Sequence, residues 1–138
     1  CALPIWLNHL ALCAATPAGV SPRTRWLTRD ETLDLPPVTE ARTHLSALLA
    51  LYRRGLREPL RFFPRSSWAC AERDGRVEAA RPAWAPNRRG AWAERDDPSY
   101  TLALRGIPDP LGDDFAEIAL TVFGPLRRLM ATPDGEAP

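Results

Sequence analysis

The 138 residues suffice for one domain, and with 45% of them hydrophobic that domain can bury a real core. All 18 basic residues are arginine against 17 acids, so the net charge is only +1, and lysine and glutamine are both absent. Arginine stays protonated at working pH and cannot serve as proton acceptor or amine nucleophile, so chemistry that depends on a lysine is excluded and the chain reads as a non-catalytic module.

Leu3, Trp6, Leu7, Leu10 and Cys13 recur at helical spacing, which predicts an amphipathic helix over Pro4–Ala15 with Pro4 in a first turn that tolerates it. Thr16–Pro22 is a turn-rich connector. Arg23–Arg29 alternates like a strand, Asp30 and Glu31 are placed to turn the chain, and Thr32–Leu35 is a second strand ended by Pro36-Pro37. Thr39 is the expected cap of the next helix, with Glu40 in its first turn and Leu45, Leu48, Leu49, Tyr52 and Leu56 on one face. Arg53 and Arg54 complement the carbonyl end of that helix, and Gly55 and Pro59 mark its stop. Phe62–Arg76 is expected to hold a short helix carrying Trp68, while residues 77–98 take no firm assignment. Tyr100–Arg105 is predicted as a last strand. Asp113–Met130 is predicted as a final helix with Phe115, Ile118, Val122, Leu126 and Leu129 inward, kinked or broken at Gly124-Pro125 because proline cannot donate to the Thr121 carbonyl. Together these elements imply an α/β or α+β domain over residues 1–132, a small sheet flanked by helices, and a flexible tail over 133–138.

Charge is unevenly spread. Arg53, Arg54, Arg57, Arg61 and Arg65 face a single acid, Glu58, whereas Asp109, Asp113, Asp114 and Glu117 stand together without a base. Such polarity suits docking to a partner or a phosphate backbone, although a solvated face is the commoner meaning of either run. Arg53, Arg57, Arg61 and Arg65 recur every four residues beside Phe62 and Phe63, so on one continuous helix they would track DNA phosphates; Gly55, Pro59 and Pro64 argue against that continuity. Phe62, Phe63, Trp68, Trp84 and Trp92 are the candidate contacts to a protein partner. Cys1, Cys13 and Cys70 are odd in number and widely spaced, without a Cys/His cluster, so buried thiols in a reducing, cytoplasmic setting are expected rather than disulfides or zinc. The longest apolar stretch is too short to span a membrane. The start on Cys1, directly in helix-like sequence, is expected to be the cut end of a longer protein.

Catalytic constellations are sparse. Glu31 and Asp34 on the hairpin are conceivable metal ligands but read better as a turn residue and a solvent-facing strand residue. Asp96-Asp97-Pro98 reads as a turn or cap. Ser66 and Ser67 lack a nucleophile elbow, neither His9 nor His44 has a recognisable partner, and no phosphate-binding glycine motif occurs. No metal or cofactor is expected in this segment.

Several stretches in order resemble the C-terminal domain of RecC, the gamma subunit of bacterial exodeoxyribonuclease V. They are Ile5–Ala14 (IWLNHLALCA), Leu48–Leu60 (LLALYRRGLREPL), Phe62–Glu72 (FFPRSSWACAE), Glu94–Tyr100 (ERDDPSY) and Phe115–Leu126 (FAEIALTVFGPL). Residues 73–92 match poorly. The resemblance implies a PD-(D/E)XK nuclease-like fold with a small mixed sheet, catalytically inactive, working with the RecB and RecD helicase subunits on broken DNA ends. It implies a role in holding RecD and in handling duplex or forked DNA through the complex, during repair by homologous recombination. A working site of that fold needs an acidic-x-Lys triplet, and the second strand offers Asp34-Leu35-Pro36 instead. The competing expectation is an autonomous DNA-binding module built on Arg53, Arg57, Arg61 and Arg65.

Overall fold

The computed structural model describes residues 2–29, 32–85, 92–112 and 114–131. Its first helix, α1, spans Leu3–Ala15, with Pro4 in the first turn and Trp6, His9 and Leu10 buried. Strands β1 (Thr24–Leu27) and β2 (Thr32–Leu35) pair antiparallel, Thr24 opposite Leu35 and Trp26 opposite Leu33. The alternation read from the sequence holds: Thr24, Trp26, Leu33 and Leu35 turn toward the protein, while Arg25, Leu27, Thr32 and Asp34 face solvent. Asp30 and Glu31, the expected turn, lie outside the described residues, as do Cys1, Asp113 and the expected tail.

Helix α2 covers Ala41–Gly55. Thr39 does not cap it: Glu40 holds the N-cap position and no side chain accepts an amide there. The far end outlasts Gly55, because the amides of Leu56 and Glu58 donate to the carbonyls of Tyr52 and Arg54, each at 3.1 Å. One further helical turn therefore runs past the glycine. Helices α3 (Pro64–Ala71), α4 (Arg81–Trp84), α5 (Pro98–Ala103) and α6 (Phe115–Ala131) follow, with single 3-10 turns at Val77–Ala79 and Glu94–Asp96.

Tyr100–Arg105 is not a strand. The Asp97 carboxylate accepts the Ser99 amide at 2.8 Å and Pro98 sits in the first turn, so Asp97-Pro98-Ser99 launches a helix that overrides the strand preference of Tyr100 and Thr101. Among the described residues the sheet is thus a two-stranded antiparallel hairpin rather than a mixed sheet, and the architecture is α+β. Pro125 does not break α6 either. Val122, Phe123 and Leu126 on both sides of it are buried, and their packing holds the helix together across the missing amide.

Helix α6 is the central strut, packing most extensively on α3 and also on α1 and α2. Around it Trp6, Leu10, Leu35 and Leu126 form one apolar cluster, Phe63, Leu111 and Phe115 a second, and Ala71, Ile118 and Phe123 a third. Each such large side chain contributes roughly 1.5–3 kcal/mol on burial.

Two buried polar groups stitch these layers. The His9 Nε2–H donates to the Pro36 carbonyl at 2.9 Å, which leaves Nδ1 to accept the Thr24 hydroxyl at 2.9 Å. Cys13 Sγ, 3.6 Å from the same ring, accepts the Val38 amide at 3.5 Å, so α1 is tied to both ends of the hairpin. Glu94 plays the other part. Its carboxylate accepts the Arg65 amide at 3.0 Å, the Ser66 amide at 2.8 Å and the Ser66 hydroxyl at 2.7 Å. Phe63, at the N-cap of α3, has no side-chain acceptor to offer, and Glu94 supplies the cap from a distant turn.

Candidate functional site

Leu45, Leu48, Leu49 and Tyr52 lie three and four residues apart and so share one side of α2. The start of α2 is held against the end of α1, where Arg42 donates to the Ala14 carbonyl at 3.0 Å. Toward the other end of the pair the two helices enclose an apolar groove of about 460 Å³. Leu3 and Leu7 form its α1 wall, those four α2 residues together with Leu51 its other wall, and Ile118 and Val122 of α6 its floor. Leu60 and Phe62, on the connector after α2, close it. Leu7 is 38% exposed, Leu49 47% and Tyr52 63%, and Leu56, one turn further, is 69% exposed. Contiguous apolar exposure of this kind is typical of interaction surfaces and ligand-binding grooves.

The rim is basic at one end. Arg54 bonds both Glu58 and Asp114, which raises its pKa further, the Glu58 hydrogen bond being the larger cause. Arg53 and Arg57 are exposed and have neither hydrogen-bonding side-chain partner nor ion pair among the described residues. Because the helical turn continues through Glu58, Arg57 stands one turn beyond Arg53, and Arg53 one turn beyond Leu49.

The four arginines expected to track DNA do not share a helix. Arg61 is half-buried in the connector, and Arg65 opens α3 with its guanidinium 4.9 Å from the centre of the Trp92 ring. Pro59 and Pro64 separate them from α2, and only Arg53 and Arg57 fall on one edge. The aromatic candidates scatter as well. Phe63 is fully buried, 4.4 Å from Trp84 and 5.1 Å from Tyr100 between ring centres, so it offers no surface to a partner. Trp84 packs its ring against the same core. Trp68 lies edge-on to Phe123 at 5.2 Å and carries the Arg127 guanidinium over its other side, at a mixed cleft of about 870 Å³ between the hairpin and helices α3 and α6. Trp92 is exposed beside Arg65. Phe62 alone of the five reaches the apolar groove.

The polar candidates have structural employment. Asp34 is paired with Arg25 across the hairpin through two contacts of 2.8 and 3.3 Å, and that hydrogen-bonding guanidinium holds its carboxyl below the usual range. Glu31 lies outside the described residues, and no group of three or more His, Cys, Asp and Glu side chains converges among those described. Ser66 donates to Glu94 and Ser67 accepts the Phe63 amide at 3.2 Å, so both hydroxyls serve the start of α3. His9, far from lacking partners, is held on both ring nitrogens.

Sequence reasoning placed Leu45, Leu48, Leu49, Tyr52 and Leu56 on one face but did not single that face out as a binding surface. The available signal was its breadth. Adjacent Leu48 and Leu49 already subtend about 100° of helix, and Leu51 and Tyr52 repeat this a turn later, which is wider than one neighbouring helix covers.

A protein-family model described as the RecC C-terminal domain matches residues 2–75. That span includes α1, the hairpin, α2 and α3, hence both walls of the groove, and it contains the first three of the five resembling stretches. No curated protein and no solved structure matches the chain.

Proposed function

The chain belongs to the RecC C-terminal domain family, and from that membership we propose that it is a non-catalytic assembly domain of a RecBCD-type helicase–nuclease, whose apolar groove seats the RecD subunit. The groove is the observation that carries the reading. Its walls leave Leu7, Leu49 and Tyr52 open to solvent, where a stable association removes apolar area from water. The missing lysine and the Arg25-bound Asp34 support the non-catalytic part, since a PD-(D/E)XK centre needs free carboxylates and a lysine beside the attacking water. DNA is reached through the complex, in double-strand break repair. No helix among the described residues is long and apolar enough to cross a membrane.

The test is co-purification. RecC carrying Leu49→Glu and Tyr52→Glu, expressed with RecB and RecD, is expected to keep RecB and lose RecD. Both positions are exposed, so the fold tolerates the charges. Full retention of RecD by this variant overturns the proposal.

A further inference from the structure

Resting on that docking role, we infer that the occupant of the groove is an amphipathic helix of a partner subunit, with acidic side chains beside its apolar anchors that Arg53 and Arg57 receive.

The groove's chemistry selects a helix. Its lining side chains are apolar apart from the Tyr52 hydroxyl, and its walls are helices whose backbone groups are already bonded internally. An extended segment would enter with its amides and carbonyls unpaired, which is costly away from water. A helix satisfies its own backbone and presents side chains alone. The α2 wall from Leu45 to Tyr52 runs two helical turns, roughly 10 Å at 1.5 Å per residue, which accommodates apolar anchors spaced i, i+3 or i+4 and i+7.

The charge on the rim selects acid. Arg54 is engaged with the nearby carboxylates Glu58 and Asp114. Arg53 and Arg57 have no counter-ion among the described residues, and they stand in line with Leu49 along the helix edge. Docking would exclude water from this edge, so an acidic residue on the occupant gains charge-assisted bonds there, and a basic one is rejected.

Two nearer occupants fail on chemistry. Residues 132–138 (TPDGEAP) are acidic but hold no leucine, isoleucine, valine, methionine or aromatic side chain to anchor. A second copy placing this edge of α2 against itself would bring together the exposed Arg53 and Arg57 of both copies, with the neighbouring Glu58 already engaged by Arg54. Among the described residues, the other exposed large apolar side chains, Leu12, Val20, Leu27, Trp92, Leu102 and Leu120, each sit on a different element and form no second helical stripe.

The experiment uses the assembled RecB–RecC–RecD complex. A photo-crosslinking phenylalanine analogue replaces Leu49, and the crosslinked peptide is mapped by mass spectrometry. It is expected to lie in RecD, with apolar residues at helical spacing and an Asp or Glu within one turn of them. In parallel, Arg53→Glu with Arg57→Glu is expected to weaken retention of that subunit roughly tenfold or more at low salt, with the deficit shrinking as salt rises, while Arg53→Lys with Arg57→Lys retains most of the binding. A crosslink to a second copy, to no subunit, or to a peptide without acid overturns the inference, as does a charge reversal without effect. If Leu49→Glu with Tyr52→Glu releases RecD while the charge reversal does nothing, only this inference fails. If neither pair releases it, the docking reading itself fails.

Discussion

Replacing Glu94 by alanine removes the carboxylate that serves the Arg65 and Ser66 amides at the start of α3, and the cost can be worked out donor by donor. The Arg65 amide, the Ser66 amide and the Ser66 hydroxyl all point at this carboxylate. Phe63 cannot replace it and the Ser67 hydroxyl is already taken by the Phe63 amide. Arg65 is exposed enough for its amide to find water, but Ser66 is fully buried. Two buried donors left unpaired, at roughly 1–3 kcal/mol each, put the loss at about 2–6 kcal/mol. Glu94→Gln keeps one acceptor oxygen and gives up the negative charge at the positive end of the helix, so about 1–2 kcal/mol is expected. Ser66→Ala should cost about 1 kcal/mol, and less again when Glu94 is already alanine, because the two groups share one bond. Urea titrations followed by tryptophan fluorescence measure all four variants, and amide exchange at Ser66 reports the turn directly. Equal losses for Glu94→Ala and Glu94→Gln, or losses within about 0.5 kcal/mol of zero for both, would refute the capping argument.

Acidification should expose His9. Burial pushes its pKa below the usual imidazole value, against the smaller opposing effect of the hydrogen bond to Pro36, so the unfolded chain takes up the proton first. The stability that this depression contributes is present above about pH 6.5 and is lost as pH falls through the folded value. Urea titrations from pH 7.5 to 5.5 should show wild type weakening on acidification and His9→Asn weakening less; a wild type that strengthens over that range contradicts it. Gly75 and Gly106 offer a matched pair, with φ of +87° and +85°. Alanine at either strains the backbone by about 1 kcal/mol, but at Gly75 its Cβ would also meet Leu120 Cδ1 at 2.9 Å whereas at Gly106 it meets nothing within 4 Å. Denaturation should therefore rank Gly75→Ala as the more destabilising, and the reverse order would show that the Leu120 methyl yields freely.

Elements whose signals are local were legible. The hairpin came from strict alternation, α1 and α2 from helical spacing, and α6 from an apolar stripe strong enough to survive Pro125. What misled was also local. Tyr100 and Thr101 favour strands, and only the Asp97 cap on the turn before them decides for helix. Thr39 has the right chemistry for a cap but is one residue too early for a helix that begins at Ala41. The remainder depends on contacts between distant residues. Nothing near Ser66 announces that its cap is Glu94, and nothing near Thr24 announces His9. The groove belongs to this class. Each of its walls was visible as an apolar face, but whether such a face is covered by the chain itself is settled only when α1, α2 and α6 are set side by side.

The absence of lysine bears on the groove as directly as on catalysis. At the end of α2, Arg54 uses its Nε for Glu58 and its Nη2 for Asp114, one a turn further along the chain and the other at the threshold of α6, where its carbonyl accepts the Ile118 amide at 3.0 Å. A planar fork can hold two carboxylates on separate edges at once, whereas an ammonium would have to share a point charge between them. By holding both, Arg54 ties α2 to the start of α6 beside the groove floor and keeps Glu58 and Asp114 engaged. Arg54→Lys is thus not a conservative change. It would loosen the α2–α6 connection and let Glu58 compete for Arg57, blunting the charge that the occupant is to meet. A chain without lysine has no lysine-dependent site, and its arginines give the edge of the proposed docking groove a defined sign.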